Sequence, residues 1–142
     1  MGMRKLAAVS FVVLVCTSVA AAGGPQAEAE KAAVMSAQNW LSLVDQGKYE
    51  ESWKQAAEYF KGAIKPDDWQ RSLVGFRMPL GPVLSRKVKA TQYTTTLPGA
   101  PDGKYVVIQF ATAFTNKSTA IETVTAMSDK DGTWRVGGYF IR

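Results

Sequence analysis

The spacing of hydrophobic and polar residues divides the chain into a helical half and a strand half. Between residues 28 and 82, apolar side chains recur every three or four positions, which is the period of an amphipathic helix. Three helices are predicted there: one over residues 28–46, one that carries Tyr49 and Phe60 on a single face, and one that starts at Pro66. From residue 83 onward, apolar and polar side chains alternate, which is typical of β-strands.

Four strands are predicted in the second half. The first covers residues 83–97, the second covers 104–115, and a hairpin over 120–142 supplies the last two. We expect a four-residue turn at 116–119, which places Thr112 opposite Thr123 and puts the large apolar side chains of three strands on one side of the sheet. The order of elements predicts an α+β fold, with three N-terminal helices packed on one face of a four-stranded antiparallel sheet.

Residues 1–22 have the layout of a secretory signal peptide. A short basic segment precedes an apolar run, and small residues follow it. We expect cleavage after Ala20 or Ala22, a short flexible N-terminus at 23–26 and a single domain over 27–142. Two alternatives stay open, namely an apolar run that remains as a membrane anchor and lipidation of Cys16. The expected location is the bacterial periplasm or the medium, and the lack of disulfides favours the periplasm.

Composition removes several classes of chemistry. The chain has no His, and Cys16 is its only Cys, which excludes the usual zinc ligand sets, Cys–His nucleophiles, a Ser-His-Asp triad and disulfides. The formal charge of +5 falls to +3 without Arg4 and Lys5 of the leader, which argues against a nucleic-acid partner. The hairpin turn at 129–132 starts like a calcium loop but lacks the later glycine and glutamate, so we predict no metal and no cofactor.

Short motifs are spread over nearly the whole chain after the leader. They include Trp40-Leu41-x-Leu43-Val44-Asp45-x-Gly47, Arg77-x-Pro79-Leu80-Gly81, Glu122-Thr123-Val124-Thr125 and Asp131-Gly132-x-Trp134-Arg135-Val136. With these motifs the chain resembles a bacterial family catalogued only as domain of unknown function number four-zero-one-nine. The family is similar in layout to the NTF2-like cone, so the resemblance implies that the helices pack into a curved sheet. It implies an exported bacterial protein, and it implies no activity.

One group of polar side chains is a candidate ligand pocket. We expect these side chains among aromatic residues on the helix-facing side of the sheet, with Arg86 holding an anion. The pocket candidates are Arg86, Gln92, Thr112, Thr123 and Thr125. The alternative is that the threonines only favour strand formation and that Arg86 pairs with an acid from the helices.

The opposite face of the sheet is a candidate interface. It is more apolar than a solvated sheet face should be, and its small-residue centre is flat. The interface candidates are Tyr105, Glu122, Val124, Arg135, Tyr139 and Ile141. A second copy of the chain or an envelope protein would cover this face. The alternatives are a monomer with an exposed face and cover by the N-terminal tail.

Glu122 and Tyr139 are predicted to be neighbours in the closing hairpin. A carboxylate and a tyrosine can perform acid–base catalysis, but this pair is expected to point away from the pocket. We therefore predict a small exported binding or protein-interaction module that is not an enzyme. The alternatives are an acid–base enzyme of the cone type and a structural envelope protein. Expected partners are a small ligand, an envelope protein or a second copy, and the membrane only through an uncleaved leader.

Overall fold

The computed structural model describes residues 24–142, so the predicted signal peptide, both predicted cleavage points and Cys16 lie outside the described residues. The described chain begins with four α-helices and a short 3₁₀ turn. The helices are Pro25–Asp45 (α1), Tyr49–Lys54 (α2), Glu58–Ala63 (α3) and Pro66–Phe76 (α4), and the 3₁₀ turn is Met78–Leu80. Pro25 and Gln26, in the segment expected to be flexible, are part of α1. None of the helices over residues 24–142 has the length and apolar character needed to cross a bilayer.

Four strands follow and form one sheet. They are Val83–Thr94 (β1), Tyr105–Phe114 (β2), Lys117–Ser128 (β3) and Trp134–Ile141 (β4). The order in the sheet is β1-β2-β3-β4, and each strand is antiparallel to its neighbour. The prediction of an α+β fold with a four-stranded antiparallel sheet is confirmed.

The helix ends follow from local sequence in two places. Gly47 ends α1 with φ of 73°, and the N–H groups of Gly47 and Lys48 donate to the carbonyls of Val44 and Leu43. This is the Schellman arrangement, which favours glycine because its conformation is left-handed. Pro66 begins α4, as predicted, since proline needs no N–H partner at the first helical position.

The prediction of three helices does not match the structure, because the segment predicted as the second helix forms two. It is interrupted at residues 55–57, where the Ala57 N–H donates to the Val136 carbonyl of β4 at 2.8 Å. This bond to the sheet takes the place of a bond within a continuous helix. Tyr49 and Phe60 therefore belong to α2 and α3, although both pack against the common core.

The predicted register between β2 and β3 is wrong. The turn has two residues, Thr115 and Asn116, and Phe114 pairs with Lys117 rather than with Ile121. The N–H groups of the two turn residues donate to the carbonyls of Pro82 and Leu80, both at 2.9 Å. Contact with the segment before β1 thus fixes a tight turn that the local sequence did not indicate.

This register exchanges the two faces of β3. Glu122, Val124 and Ala126 face the helices, opposite Phe110, Ile108 and Val106, while Thr123 and Thr125 lie on the outer face. In β4, Trp134 and Val136 pack on the helix side as predicted. Gly137 then forms a bulge, because Ala126 pairs with Val136 and Thr125 pairs with Gly138. The bulge turns Tyr139 inward and leaves Phe140 on the outer face, 54% exposed, against the prediction.

The core lies between α1, α4 and the inner face of the sheet. Trp40 and Trp69 are almost fully buried, and their ring centroids are 5.9 Å apart. The buried Ser52 satisfies both indoles, since its carbonyl accepts from Trp40 Nε1 at 2.8 Å and its hydroxyl accepts from Trp69 Nε1 at 3.0 Å. Trp40 and Trp69 are therefore core residues, whereas Phe76 at the end of α4 is 36% exposed.

Candidate functional site

Glu122 is the centre of a buried polar cluster. Its side chain is 0% exposed, and three donors reach its two carboxylate oxygens. Arg86 Nε donates to Oε1 at 2.7 Å and Thr112 Oγ1 donates to the same oxygen at 2.6 Å, while the Tyr139 hydroxyl donates to Oε2. A buried carboxylate needs such partners because it has lost its hydration. Glu122 therefore acts as the acceptor that joins β1, β2, β3 and β4.

Arg86 connects this carboxylate to the helix layer. Its Nη1 and Nη2 donate to the two oxygens of Asp45 at 2.7 and 3.0 Å, which is a bidentate pair. Burial, the largest effect, lowers the pKa of Arg86. The hydrogen bonds and charges of Asp45 and Glu122 outweigh burial and hold that pKa above its ordinary value. Arg86 stays charged, and its pairing with an acid from the helices is the alternative considered from the sequence.

Arg77 completes the cluster from the end of α4. Its Nη2 donates to Asp45 at 3.2 Å, its Nη1 donates to the Gly81 carbonyl at 2.8 Å, and its guanidinium lies 4.6 Å from the centre of the Phe114 ring. Two arginines thus face two carboxylates, and the cluster is balanced in charge. Over the described residues, no three side chains of the metal-binding types gather as a ligand set.

Tyr139 lies between the polar cluster and the aromatic core. Its ring centroid is 5.2 Å from that of Trp40 and 6.0 Å from that of Phe76. Burial raises the pKa of Tyr139, and the neighbouring charge and hydrogen bond of Glu122 raise it further. The phenol is therefore neutral at physiological pH and donates its proton to Glu122. This bond and the packed rings fix the ring position.

A mostly apolar groove of about 340 Å³ opens on the other side of Tyr139. We call it the Tyr139 groove. Five apolar or aromatic residues and two basic residues line it: Phe76, Leu80, Tyr139, Phe140, Ile141, Lys117 and Arg142. Phe76 is 36% exposed and Phe140 is 54% exposed, so apolar surface faces solvent here. The volume is within the range of about 300–1,000 Å³ that small-molecule sites occupy.

The structure brings together only part of the predicted ligand pocket. Arg86 and Thr112 lie inside, next to each other across β1 and β2. Gln92 is exposed opposite Val107, because a register shift between Val88 and Ala90 changes the face of β1. The placement of Thr123 and Thr125 beside Thr112 was wrong, since the β2–β3 register puts both on the outer face. Arg86 and Thr112 thus lie on the inner face and the other three on the outer face, so the five residues do not line one common pocket.

Of the six predicted interface residues, four are buried or face the core, and two keep some exposure. Glu122 and Val124 are fully buried under the helices, so the prediction of an exposed position was wrong for both. Tyr139 faces the core, and Tyr105 is 2% exposed with its hydroxyl donating to the Pro101 carbonyl.

The other two interface candidates keep some exposure. Arg135 binds Asp129 and Asp131 beside the hairpin turn, at 3.1 and 2.9 Å, and Ile141 lines the Tyr139 groove. The predicted proximity of Glu122 and Tyr139 is confirmed, although the pair lies on the inner face of the sheet.

Sequence reasoning missed Asp45 and Arg77 as site residues, although the helical period carries a signal for both. Asp45 follows Ala37 and Leu41 at intervals of four, and Arg77 follows Trp69 and Leu73 in the same way. Each charged residue therefore continues a buried apolar stripe, which indicates an ion pair at the edge of the core. The basic residues of the groove have no such signal, because their proximity depends on the tertiary fold.

In a comparison with family models, residues 36–139 match the model described as "Protein of unknown function (DUF4019)". The chain belongs to this family. The match contains Asp45, Arg77, Arg86, Glu122 and Tyr139, so the polar cluster of this DUF4019 protein lies entirely within the family region. Lys117 is within the matched residues as well, whereas Ile141 and Arg142 follow them. Comparison with curated proteins gives no match.

Proposed function

We propose that this DUF4019 protein is an exported, periplasmic binding module of the NTF2-like cone type that holds a small apolar ligand in the Tyr139 groove. The observation that carries the proposal is the groove itself. It exposes aromatic and aliphatic surface, and Tyr139, which forms part of its lining, is held in place by Glu122 behind it. A preformed site of this kind loses little conformational entropy when a ligand binds.

Binding is favoured over acid–base catalysis because Glu122 is closed to a substrate. A general base must come within about 2.6–3.2 Å of the proton that it removes, directly or through one water. Glu122 is 0% exposed, and Arg86, Thr112 and Tyr139 already donate to it. Tyr139 keeps its proton because its pKa is raised. The pair therefore supports the groove as structure, and the acid–base enzyme stays the weaker alternative.

The cone architecture and the export route are parts of the same proposal. Support for the cone comes from helices that pack on one face of a four-stranded sheet whose strands carry several register shifts, since bulges bend and twist a sheet. Support for bacterial export and cleavage near Ala20 or Ala22 comes from the leader pattern of residues 1–22.

The experiment is a titration with Nile red, a neutral dye whose emission shifts to the blue in an apolar site. The wild-type protein is expected to bind the dye in a saturable manner. Leu80→Glu replaces an apolar side chain of the lining by a hydrated carboxylate. It is expected to weaken binding at least about tenfold, because the neutral dye loses apolar surface to bury against and meets a charged group instead. The matched control is Leu84→Glu, since Leu84 is 68% exposed on β1 and does not line the groove.

Circular dichroism must show that both variants are folded. The proposal is refuted if the wild-type protein does not bind the dye, or if the two glutamate variants lose the same affinity.

A second candidate is the homodimer or envelope-protein contact through the outer sheet face. The observation in its favour is that Phe140 is exposed on this face and the neighbouring buried Thr123 hydroxyl has no hydrogen-bond partner among the described residues. Ile121, which also lies on this face, gives a test. Ile121→Glu is expected to convert a dimer into a monomer in sedimentation-velocity runs. If the wild-type protein is itself a monomer at high concentration, the homodimer hypothesis is rejected.

A further inference from the structure

We propose that the ligand of the Tyr139 groove is a free single-chain carboxylate amphiphile of the fatty-acid type, whose head group Lys117 and Arg142 bind. This inference rests on the proposed function and adds the chemical class of the ligand. It is argued from the two basic residues of the groove, whereas the proposed function is argued from the apolar residues of the lining.

The lining combines an apolar wall with two basic side chains. Lys117 and Arg142 belong to the lining, and no acidic residue does. Within residues 24–142, neither basic side chain takes part in an ion pair. Glu122, which accepts from the Tyr139 hydroxyl behind the wall, is already bound by Arg86. The two cations are thus free to bind an anion from outside.

Both basic residues are held at the groove by backbone contacts. Lys117 begins β3 directly after the two-residue turn, where it pairs with Phe114. Arg142 continues β4, and its N–H and carbonyl pair with Ile121 at 3.0 and 2.8 Å. The main-chain oxygen of Arg142 is therefore directed at β3. Fixed main-chain positions limit where the two flexible side chains can reach, which keeps their charges beside the apolar wall.

A single apolar chain with an anionic head fits this lining better than a neutral or cationic ligand. Each methylene buried against the apolar residues lowers the free energy of the complex, and a carboxylate accepts hydrogen bonds from ammonium and guanidinium groups. A cationic head group would meet like charge. The Tyr139 hydroxyl adds no selectivity, because it already donates to Glu122.

The test measures displacement of Nile red by decanoate and by decanol, which have the same apolar chain and differ in head charge. Decanoate is used below its micelle-forming concentration at low salt. The measured quantity is the selectivity, defined as the affinity for decanoate divided by that for decanol. Replacing both cations in Lys117→Gln/Arg142→Gln is expected to lower the selectivity about threefold to tenfold, as the loss of two partly exposed charge pairs implies.

The matched control is Lys87→Gln/Lys89→Gln on β1, which removes the same charge from exposed residues outside the groove. It is expected to leave the selectivity unchanged. The inference is overturned if the two double variants lose equal selectivity, or if the groove variant loses none. If neither decanol nor Nile red binds the wild-type protein, the proposed function itself fails. If both bind and the selectivity does not depend on Lys117 and Arg142, only the carboxylate assignment fails.

Two further measurements distinguish a carboxylate ligand from two other occupants of the groove, a membrane surface and a second copy of the chain. Phosphatidylglycerol vesicles that sediment the protein through Lys117 and Arg142, without displacement of the dye by decanoate, would overturn the inference in favour of a membrane surface. A wild-type dimer that becomes a monomer in Leu80→Glu would overturn it in favour of a second copy. The inference is supported by displacement with decanoate from a protein that stays monomeric and does not sediment with the vesicles.

Discussion

Removing Arg86 and Glu122 one at a time and together tests the buried cluster directly. Arg86→Met leaves the Glu122 carboxylate fully buried with only Thr112 and Tyr139 as donors. Breaking a buried ion pair from one side costs about 3–5 kcal/mol in the free energy of unfolding, because an uncompensated charge stays behind. Asp45 keeps Arg77, so the expected loss comes mainly from Glu122.

Glu122→Gln is expected to lower the free energy of unfolding of the wild-type protein and to raise that of the Arg86→Met variant. In the wild-type protein it removes the charge that Arg86 Nε binds at 2.7 Å, while Arg86 keeps its bidentate pair with Asp45. The expected loss is about 1–3 kcal/mol, the cost of leaving a buried donor poorly satisfied. In the Arg86→Met background, the same change removes an unpaired buried charge and keeps an amide oxygen for Thr112. The double variant should therefore be more stable than Arg86→Met alone.

The assay is urea unfolding followed by tryptophan fluorescence, with all four proteins measured at one pH. Exposed Arg71 and Asp68, whose side chains are 2.6 Å apart, give the control cycle with Arg71→Met and Asp68→Asn. Each change is expected to cost less than about 1 kcal/mol, and the coupling between the two is expected to stay below about 1 kcal/mol because the pair is exposed. The account of the cluster is wrong if Glu122→Gln destabilises the protein equally in both backgrounds.

Two other predictions concern single hydroxyls. Ser52→Ala removes the acceptor of the buried Trp69 indole and should lower the free energy of unfolding by about 1–3 kcal/mol in urea titrations, whereas the exposed Ser42→Ala should change it by less than about 0.5 kcal/mol. The pKa of Tyr139 is higher in the folded protein than the value of about 10 in the unfolded chain. The neutral phenol therefore stabilises the folded state fully below about pH 10, and this contribution to the free energy of unfolding is lost as the pH rises above that value. Tyr139→Phe should remove one late-titrating phenol from the absorbance titration and reduce the alkaline loss of stability, and an unchanged titration would contradict the buried position of Tyr139.

The helical half of the fold was largely readable from the sequence because each signal there is local. The apolar stripe of α1, the glycine that ends it and the proline that begins α4 act within a few residues, and all three hold in the structure. The division of the second predicted helix was not readable. It depends on a bond from Ala57 to Val136, and no local pattern encodes that contact.

The faces of β3 show the limit of strand periodicity. Its two alternating sets both contain apolar residues, such as Ile121 in one and Val124 in the other, so period two alone does not choose the core side. Because Glu122 is charged, the alternating set that contains it was predicted to face solvent. Its burial is tolerable only because Arg86, Thr112 and Tyr139 meet it from three other strands.

The sequence by itself determined the family through its motifs. It also determined the α+β class, the antiparallel sheet and the proximity of Glu122 to Tyr139, because hydrophobic periods, turn residues and hairpin pairing are short-range. Only the tertiary structure decided the tight turn at Thr115 and Asn116, the bulge at Gly137 and therefore which side chains face the helices. A shift of one residue exchanges the faces of a strand, and contacts between distant segments fix that shift. The buried cluster and the Tyr139 groove both follow from it.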